Sequence, residues 1–366
     1  MDQRNLSLSH VEARPQTARR AVVIWLGVVF GLVFLMIMVG GLTRLTDSGL
    51  SIVEWRPVTG AIPPLSDEAW REEFAKYQTI PEYQIQNRGM TLGEFKFIYW
   101  WEWSHRFLGR LIGAVFLVPF VIFWWRGMIA RALGLRLSLL FLLGGAQGAL
   151  GWWMVMSGLT ERLDVSQYRL AAHLGLAFLI LGLIVWTILD LLRGEGVARA
   201  LKESRLAPFA LLFAGLVYVQ ILLGAFVAGT DAGLTYNTWP LMDGRFIPEG
   251  LLTMKPWYVN FFEDVTTIQF QHRMTAYLVG LSAIGLFTAL WRAGPSRRTM
   301  IAASHVLGAS LLQIALGIWV LLAQAPLSLS ALHQAMAVVL FTAALWLAHE
   351  LRQPLQLAAS PQSRSA

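Results

Sequence analysis

The sequence contains no cysteine, so it can form neither a disulfide nor a thiolate-ligated zinc or iron–sulfur site. Charged residues are also scarce, at 14% of the chain, whereas hydrophobic residues reach 56% and the mean hydropathy is +0.55. A water-soluble protein of 366 residues needs more polar surface than this composition provides. The low charge content therefore excludes a soluble multidomain protein and indicates a membrane protein.

Long apolar runs are numerous enough for eight membrane spans. About 20 residues of helix cross the roughly 30 Å hydrocarbon core of a bilayer. Seven runs lack Asp, Glu, Lys and Arg, and the remaining one is interrupted only by Arg110. In chain order the runs, numbered here as spans one to eight, are Ala21–Leu42, Phe107–Trp125, Leu137–Leu159, Leu170–Leu189, Leu206–Thr230, Met274–Trp291, Thr299–Leu322 and Leu327–Ala348. The pattern predicts an all-α integral membrane protein with eight transmembrane helices.

The basic residues lie mostly on one side of the predicted membrane. The net charge is +7, and arginines concentrate before span one and between spans two and three, four and five, and six and seven. Because cytoplasmic loops carry the excess of Lys and Arg, both termini are predicted to be cytoplasmic. Span one lacks a convincing signal-peptidase site and is long enough to remain as an anchor. No motif or aromatic-interleaved basic patch supports nucleic-acid binding, so the lipid bilayer is the expected environment.

The two halves of the chain share four landmarks in the same order. They are Asp47–Ser51 and Asp231–Thr235, His105-Arg106 and His272-Arg273, Gln147–Trp153 and Gln313–Trp319, and His173 and His333. Each half has four spans, an even number, so the halves have the same orientation and form parallel repeats. The sequence therefore predicts two parallel-repeat four-helix bundles side by side.

This repeat divides the chain into five segments. They are a cytoplasmic N-terminal tail (1–20), the first four-helix repeat (21–192) with a long outward loop (43–100), a cytoplasmic linker (193–205), the second four-helix repeat (206–351) and a cytoplasmic C-terminal tail (352–366). In the outward loop, Ser66 and the acidic residues after it predict an amphipathic helix that lies on the membrane or caps the bundle. Thr91 and Glu94 fit a capping box, so the helix of span two is expected to begin near them.

Four of the seven histidines lie at membrane depth, each near the outer end of an even-numbered span. They are His105, His173, His272 and His333. Polar groups within a membrane are costly, and two level pairs are better explained by ligation than by contacts between helices. Zinc prefers four donors, whereas haem iron needs only two axial ligands beyond its porphyrin nitrogens. The pairs therefore favour haem, while the other histidines, His10, His305 and His349, are interpreted as solvated or hydrogen-bonded side chains.

The halves differ three residues before their first histidine, where Glu102 stands in one and Gln269 in the other. A carboxylate three residues before His105 shares its helix face. Glu102 either handles protons or pairs structurally with Arg106 four residues later. The chemical interpretation is favoured because glutamine keeps the shape and loses only the proton function. It makes the first half reactive and the second half an electron relay.

Two further sets of residues are candidates for haem contacts. The arginines that could reach haem propionates are Arg106, Arg273 and Arg44, and lipid phosphate is their alternative partner. The small residues Gly144–Ala146 and Gly148 either permit close helix approach or contact a porphyrin.

The motif Gly40–Ser51, the Glu-x-x-His-Arg of span two and the paired histidines of a duplicated eight-span chain closely resemble the haem A synthase family. The resemblance covers essentially the whole chain after residue 20. It implies a membrane enzyme that oxidises the C8 methyl of haem O to a formyl group, by successive hydroxylation and loss of water, giving haem A for cytochrome oxidase. The absence of cysteine places the chain with the cysteine-free, proteobacterial and mitochondrial type of this family.

The resemblance also implies roles for individual residues. His105 and His173 correspond to ligands of the substrate haem O, Glu102 to the catalytic acid/base, and His272 and His333 to the ligands of a haem b cofactor. It implies a bacterial inner membrane location with the haem sites near the periplasmic face. The implied partners are a haem O synthase, which is a protohaem farnesyltransferase, and cytochrome oxidase assembly proteins.

Two other functions compete with this one. A non-enzymatic di-haem electron carrier of the cytochrome b type would use the same four histidines. Such a carrier needs haems at both membrane faces, whereas these histidines are all predicted near the outer face. A transporter built from parallel repeats needs broken spans or intramembrane charges, and the sequence indicates neither.

Overall fold

The structure, a computed structural model, describes residues 16–159, 163–193 and 205–352. Eight of its helices are long and apolar enough to cross a membrane, which confirms the predicted all-α fold with eight spans. As spans one to eight they comprise Gln16–Leu45, Leu92–Trp125, Arg131–Met156, Gln167–Leu192, Ala207–Gly229, Val265–Ala293, Arg297–Leu322 and Leu327–Leu351. His10 and most of the predicted N-terminal tail lie outside the described residues, as do most of the predicted linker and C-terminal tail; residues 16–20 of the predicted tail belong to the helix of span one.

Span two begins well before its apolar run because a capping box starts the helix. The hydroxyl of Thr91 accepts a hydrogen bond from the Glu94 N–H at 3.3 Å, and the Glu94 carboxylate accepts one from the Thr91 N–H at 2.7 Å. These bonds satisfy backbone donors that a helix start otherwise leaves unpaired. The predicted capping box is confirmed, and it carries span two outward beyond its apolar residues.

Within each half, the four spans contact one another in a closed ring. Span one packs against spans two and four, and span three packs against the same two; spans five to eight are joined in the corresponding way. Between the halves, span four packs against spans five and eight, and span eight also packs against span one. One continuous apolar core, which includes Leu26, Phe178 and Leu347, extends through this interface. The parallel relation of the two repeats and the exact domain boundaries stay predictions.

One contact between the halves is polar and depends on a glycine. Gln334, next to His333 in span eight, donates from Nε2 to the backbone carbonyl of Ile37 in span one at 2.6 Å. A Cβ on Gly41 would collide with the amide of Gln334. In the repeat, Leu174 corresponds to Gln334 and Ala225 corresponds to Gly41. The contact at this second place is apolar, because Leu174 packs against the cluster that contains Ala225. The interface between the halves therefore joins unlike surfaces at equivalent places.

The outward loop after span one forms a cap on the first bundle. Its helix, Asp67–Tyr77, begins at Ser66, whose hydroxyl accepts a hydrogen bond from the Ala69 N–H at 3.2 Å. The ring of Trp70 packs edge-on against that of Tyr99 in span two, with centroids 4.9 Å apart. Because Trp70 and Tyr77 are buried against span two, the helix caps the bundle.

A buried acid lies within this cap. Glu82 is only 3% exposed, and its carboxylate accepts a hydrogen bond from the Tyr77 hydroxyl at 2.6 Å. The side-chain amide of Asn87 donates to the Tyr77 oxygen at 2.7 Å. Burial, with a smaller contribution from the charge of Glu102, raises the pKa of Glu82 to about 7 although the Tyr77 hydrogen bond acts the other way. Glu82 is therefore protonated in mildly acidic solution.

We expect Glu82 to make the folded chain less stable as the pH rises. Between the ordinary value of 4.5 and the folded pKa of about 7, the folded state holds a proton that the unfolded state has lost. Its contribution to the free energy of unfolding therefore falls across this range and stays low above it. Glu82→Gln removes the titrating group. At about pH 8 the free energy of unfolding of the variant should exceed that of the wild type by up to roughly 3 kcal/mol, whereas below about pH 5 the two should differ little.

Thermal unfolding of the full chain in detergent at both pH values measures this difference. Glu68→Gln is the matched control, because it makes the same substitution at an exposed position of the same cap. A gain for Glu82→Gln that does not depend on pH would disprove the proposed titration.

Candidate functional site

Each intramembrane histidine lies against a glycine of the preceding span. A Cβ built on the glycine would approach the imidazole Cε1 at 2.8 Å for Gly40 and His105, 2.9 Å for Gly151 and His173, 3.2 Å for Gly224 and His272, and 3.0 Å for Gly317 and His333. The first two distances are shorter than real Cβ contacts and the other two are tighter than most, so alanine would require the ring or the helix to shift. The four helical hairpins therefore hold their imidazoles in the same way.

Three hairpins add a glutamine one turn before the glycine. The amide nitrogen of Gln147 donates to the His173 carbonyl at 3.0 Å and lies 3.2 Å from the ring Nδ1. Gln220 makes the same two contacts with His272, at 3.0 and 3.1 Å. The amide nitrogen of Gln313 lies 3.3 Å from the Nε2 of His333. In all three glutamines the amide oxygen is buried without a hydrogen-bond partner.

The first hairpin departs from this pattern at two positions. Met36 stands where the others have glutamine, and Gly109 stands one turn after His105 where the others have Ala177, Ala276 and Ala337. The two departures belong together, because the Met36 methyl group lies only 3.2 Å from the position of a Cβ on Gly109. The Nδ1 of His105 is buried without a partner. His105 is thus the one ring of the four that lacks a neighbouring glutamine amide.

Sequence reasoning found the four histidines, Gln147 and Gln313, but missed Gln220 and the histidine-contacting glycines. It compared the two halves of the chain, whereas the relevant unit is the hairpin of two consecutive spans. Aligning four hairpins shows Gln-x-x-x-Gly in the first helix and His-x-x-x-Ala in the second, in three cases of four. That alignment was available from the sequence alone.

The carboxylate of Glu102 is 2% exposed and is fully engaged by the outer loop and Arg106. Its Oε2 accepts from the Ser51 hydroxyl and from the Ile52 N–H, each at 2.8 Å, and its Oε1 accepts from the Arg106 Nε at 3.0 Å. Arg106 also donates to the carbonyl oxygens of Ile52, at 2.7 Å, and Glu54, at 2.9 Å. The ion pair considered from the sequence therefore exists, and it fastens the loop over the site.

In the second half, Gln269 and Arg273 hold the loop through the opposite kind of hydrogen bond. The Gln269 amide donates to the Tyr236 carbonyl at 3.1 Å, whereas Glu102 accepts from an N–H. Arg273 donates to the carbonyls of Tyr236 at 2.6 Å and Thr238 at 2.9 Å. Glutamine therefore does not simply keep the shape of Glu102, because it also changes the contact with the loop.

The three arginines considered for haem propionates already have protein partners. Arg106 and Arg273 donate to loop carbonyls, as described above. Arg44 lies 2.9 Å from the carboxylate of Asp47, 3.5 Å from that of Asp231 and 3.7 Å from that of Asp164. It joins the repeated Asp-x-Gly-Leu motifs of the two halves. A propionate role for any of the three stays a prediction.

The first bundle leaves space that the second fills. A Cβ on Gly113 of span two or Gly148 of span three would have no neighbour within 4 Å. At the corresponding places in spans six and seven stand Gly280 and Ile314, and the Ile314 methyl group would lie 2.8 Å from a Cβ on Gly280. Gly144 and Gly145 of span three also have no such neighbour. Of the two interpretations left open for these small residues, close contact with another helix is not seen at Gly144, Gly145 and Gly148.

The histidines are arranged as pairs rather than as a self-sufficient metal site. Among residues 16–159, 163–193 and 205–352, no three His, Asp or Glu side chains are placed to hold a metal ion. In each half the two imidazoles come from spans of one closed ring of helices, spans two and four in the first half and spans six and eight in the second. Two imidazoles suit a metal whose other ligands come from a macrocycle. Three features fit haem. The imidazole rings are half-buried, each ring lies against a glycine, and the nearby glutamines have amide oxygens without hydrogen-bond partners.

Comparison with known proteins extends across both halves. Residues 23–345 match the COX15-CtaA family model, described as a cytochrome oxidase assembly protein. The chain is 56% identical over 333 residues to a heme A synthase of Parvibaculum lavamentivorans, covering 90% of this chain and 94% of that protein. It is 56% identical over 329 residues to a heme A synthase of Maricaulis maris, covering 89% and 95%. A heme A synthase of Bradyrhizobium sp. is 52% identical over 348 residues, covering 94% and 95%.

Proposed function

We propose that this chain, which belongs to the COX15-CtaA family of cytochrome oxidase assembly proteins, is a haem A synthase that oxidises the C8 methyl of haem O to a formyl group. Methyl-to-formyl oxidation removes four electrons and four protons and adds the oxygen of one water, which makes the enzyme an oxidoreductase. The observation that carries the proposal is the arrangement of two imidazole pairs, of which one has a buried carboxylate one turn away on the same helix.

The first half is the substrate half in this proposal. Haem O is the product of a farnesyltransferase, so it carries a long apolar chain that haem b lacks. The space beside Gly113 and Gly148 offers room for such a chain, whereas Ile314 fills the equivalent place in the second half. Glu102 is also confined to the first half, since Gln269 replaces it in the second. His105 and His173 accordingly hold haem O, and His272 and His333 hold haem b.

The surrounding residues position the proton-transferring group and limit access of water. Arg106 and the Ser51 hydroxyl fix the position of the Glu102 carboxylate, which gives up one of these hydrogen bonds when it takes a proton from the substrate side. The loop residues Ile52 and Glu54 are held above it by Arg106. Haem b, when bound, supplies one-electron storage. Gln220 and Gln313 position the two imidazoles that would hold it.

We further propose a bacterial inner membrane location, with both termini cytoplasmic and the haem sites near the periplasmic face. The distribution of arginines between the spans supports this orientation. A protohaem farnesyltransferase must supply the substrate, and cytochrome oxidase assembly must consume the product.

Haem analysis tests the proposed function. The chain is co-expressed with a haem O synthase in a bacterium that makes no haem A, purified in detergent, and its extracted haems are separated by chromatography. We expect haem A together with haem b. His272→Ala should lower haem b content at least about tenfold, because an axial ligand is lost. His305→Ala is the control, since that exposed ring contacts the Ile301 carbonyl of its own helix and the ring of Trp346, and none of the four paired histidines is its partner in these contacts. Haem b alone, in a fixed two-to-one ratio to protein, would instead identify an electron carrier.

A further inference from the structure

We propose that His105 is the axial ligand that detaches when a substrate haem enters or a product haem leaves, and that Met36 makes this ligand exchangeable. The inference rests on the proposed function, in which the first half must release its haem after each reaction. The second half must keep its haem. The first pair of imidazoles must therefore release its haem readily and the second pair must hold its haem, although both pairs lie in repeated hairpins.

The difference between the hairpins matches that need. The glutamine amide of Gln220 lies 3.1 Å from the Nδ1 of His272, and that of Gln313 lies 3.3 Å from the Nε2 of His333, whose Nδ1 has no partner. Both rings of the retained cofactor therefore have a glutamine amide in contact with them. In the first half, His173 has Gln147 and His105 has no such partner. One ligand of the substrate pair is thus held and the other is not. A haem can remain attached to His173 while the bond to His105 breaks.

A glutamine affects an imidazole ligand in two ways. Its hydrogen bond to the histidine carbonyl and its contact with the ring restrict the rotation of the side chain. Residues around a metal site that orient its ligands contribute to binding, and their loss typically weakens metal binding 10- to 100-fold. The thioether of Met36 offers no N–H donor and is only a weak acceptor. His105 therefore lacks the contact that orients the other three rings, and it is freer to rotate.

Nearby polar residues do not replace the missing glutamine. Glu102 lies on the same face of span two, but its carboxylate binds Ser51, Ile52 and Arg106. Gly109 leaves room for the Met36 side chain. Methionine in place of glutamine at position 36 is therefore accompanied by glycine in place of alanine at position 109. Methionine and glutamine have similar length, which permits the reverse exchange without a large change in volume.

Two reciprocal variants test the inference. Met36→Gln gives the first hairpin the amide of the others, and Gln220→Met removes the amide beside His272. The purified full chain, loaded with haem O and haem b, is mixed with apomyoglobin as an acceptor, and the release of each haem is followed by absorbance. We expect Met36→Gln to slow release of the first-half haem about 10- to 100-fold and to shift its midpoint potential. Gln220→Met should speed haem b release by a similar factor.

Met36→Leu separates ligand support from packing, because leucine fills the same space without an amide. We expect it to release the first-half haem at the wild-type rate. Slow release from both Met36→Gln and Met36→Leu would overturn the inference in favour of packing against Gly109. Unchanged release and potential in Met36→Gln, with faster haem b loss in Gln220→Met, would overturn the assignment of His105. Failure of the proposed function looks different, since the wild type would then bind no haem O and form no haem A.

Discussion

Glu102→Gln is expected to lower haem A formation at least about 100-fold, which is the scale of a lost general acid/base. The haem content of the first half should persist, because His105 and His173 remain. The measurement is chromatography of haems from cells that also make haem O, normalised to the purified protein. Accumulated haem O in place of haem A is the expected profile. A normal yield of haem A would remove Glu102 from the mechanism.

The contacts of Glu102 require a control for its structural role. A glutamine there places an amide N–H opposite either Ile52 or Arg106, both of which are donors. Leaving donors unpaired costs about 1–3 kcal/mol, so part of any loss could come from the loop. Ser51→Ala removes one loop contact and keeps the carboxylate. We expect it to lower stability by about 1 kcal/mol and haem A formation by less than about tenfold. Equal losses in the two variants would assign Glu102 to loop attachment.

Gly148→Ile is expected to prevent haem O from entering the first half while leaving haem b in the second. The substitution copies Ile314, which fills the equivalent space against Gly280. A branched side chain between spans two and three should collide with the farnesyl-derived chain. Inserting methylene groups into occupied space costs about 1–3 kcal/mol each time, and a whole isoleucine side chain should lower haem O conversion at least about 100-fold.

Haem analysis of the purified variant, with titration by haem O and by protohaem, measures the effect. We expect binding of haem O to be lost and binding of protohaem, which has no such chain, to be retained. Gly31→Ile in span one is the matched control, because a Cβ on Gly31 also meets no neighbour and the residue is exposed. If Gly148→Ile converts haem O at the wild-type rate, the chain must lie elsewhere.

The sequence predicted most of the fold because a membrane imposes simple rules on it. Helix number followed from the length of uncharged runs, and the capping box at Thr91 and the N-cap at Ser66 were local patterns. Local patterns cannot show which side chains meet across a loop. The burial of Glu82 by the cap is an example, since its environment includes Tyr77 and Asn87, which only the folded loop brings together.

The candidate site was predicted in its residues but not in its contacts. The four histidines stand out because polar residues are rare in membrane spans. Glycine is common in such spans, so the contact of Gly151 with His173 has no distinctive signal in one hairpin. The opposite hydrogen bonds of Glu102 and Gln269 were likewise unpredictable, because they depend on which backbone group each loop presents.

The unlike contacts between the halves have a consequence for how such a chain can arise and persist. Two copies of the first half would oppose Leu174 to Gly41, where a glutamine amide now lies, and would lose the bond to the Ile37 carbonyl. Two copies of the second half would place Gln334 against Ala225, whose methyl group occupies the place that Gly41 leaves free. A chain made of two identical halves would therefore lose the polar contact at this interface, because each half presents a surface that fits the other half rather than itself.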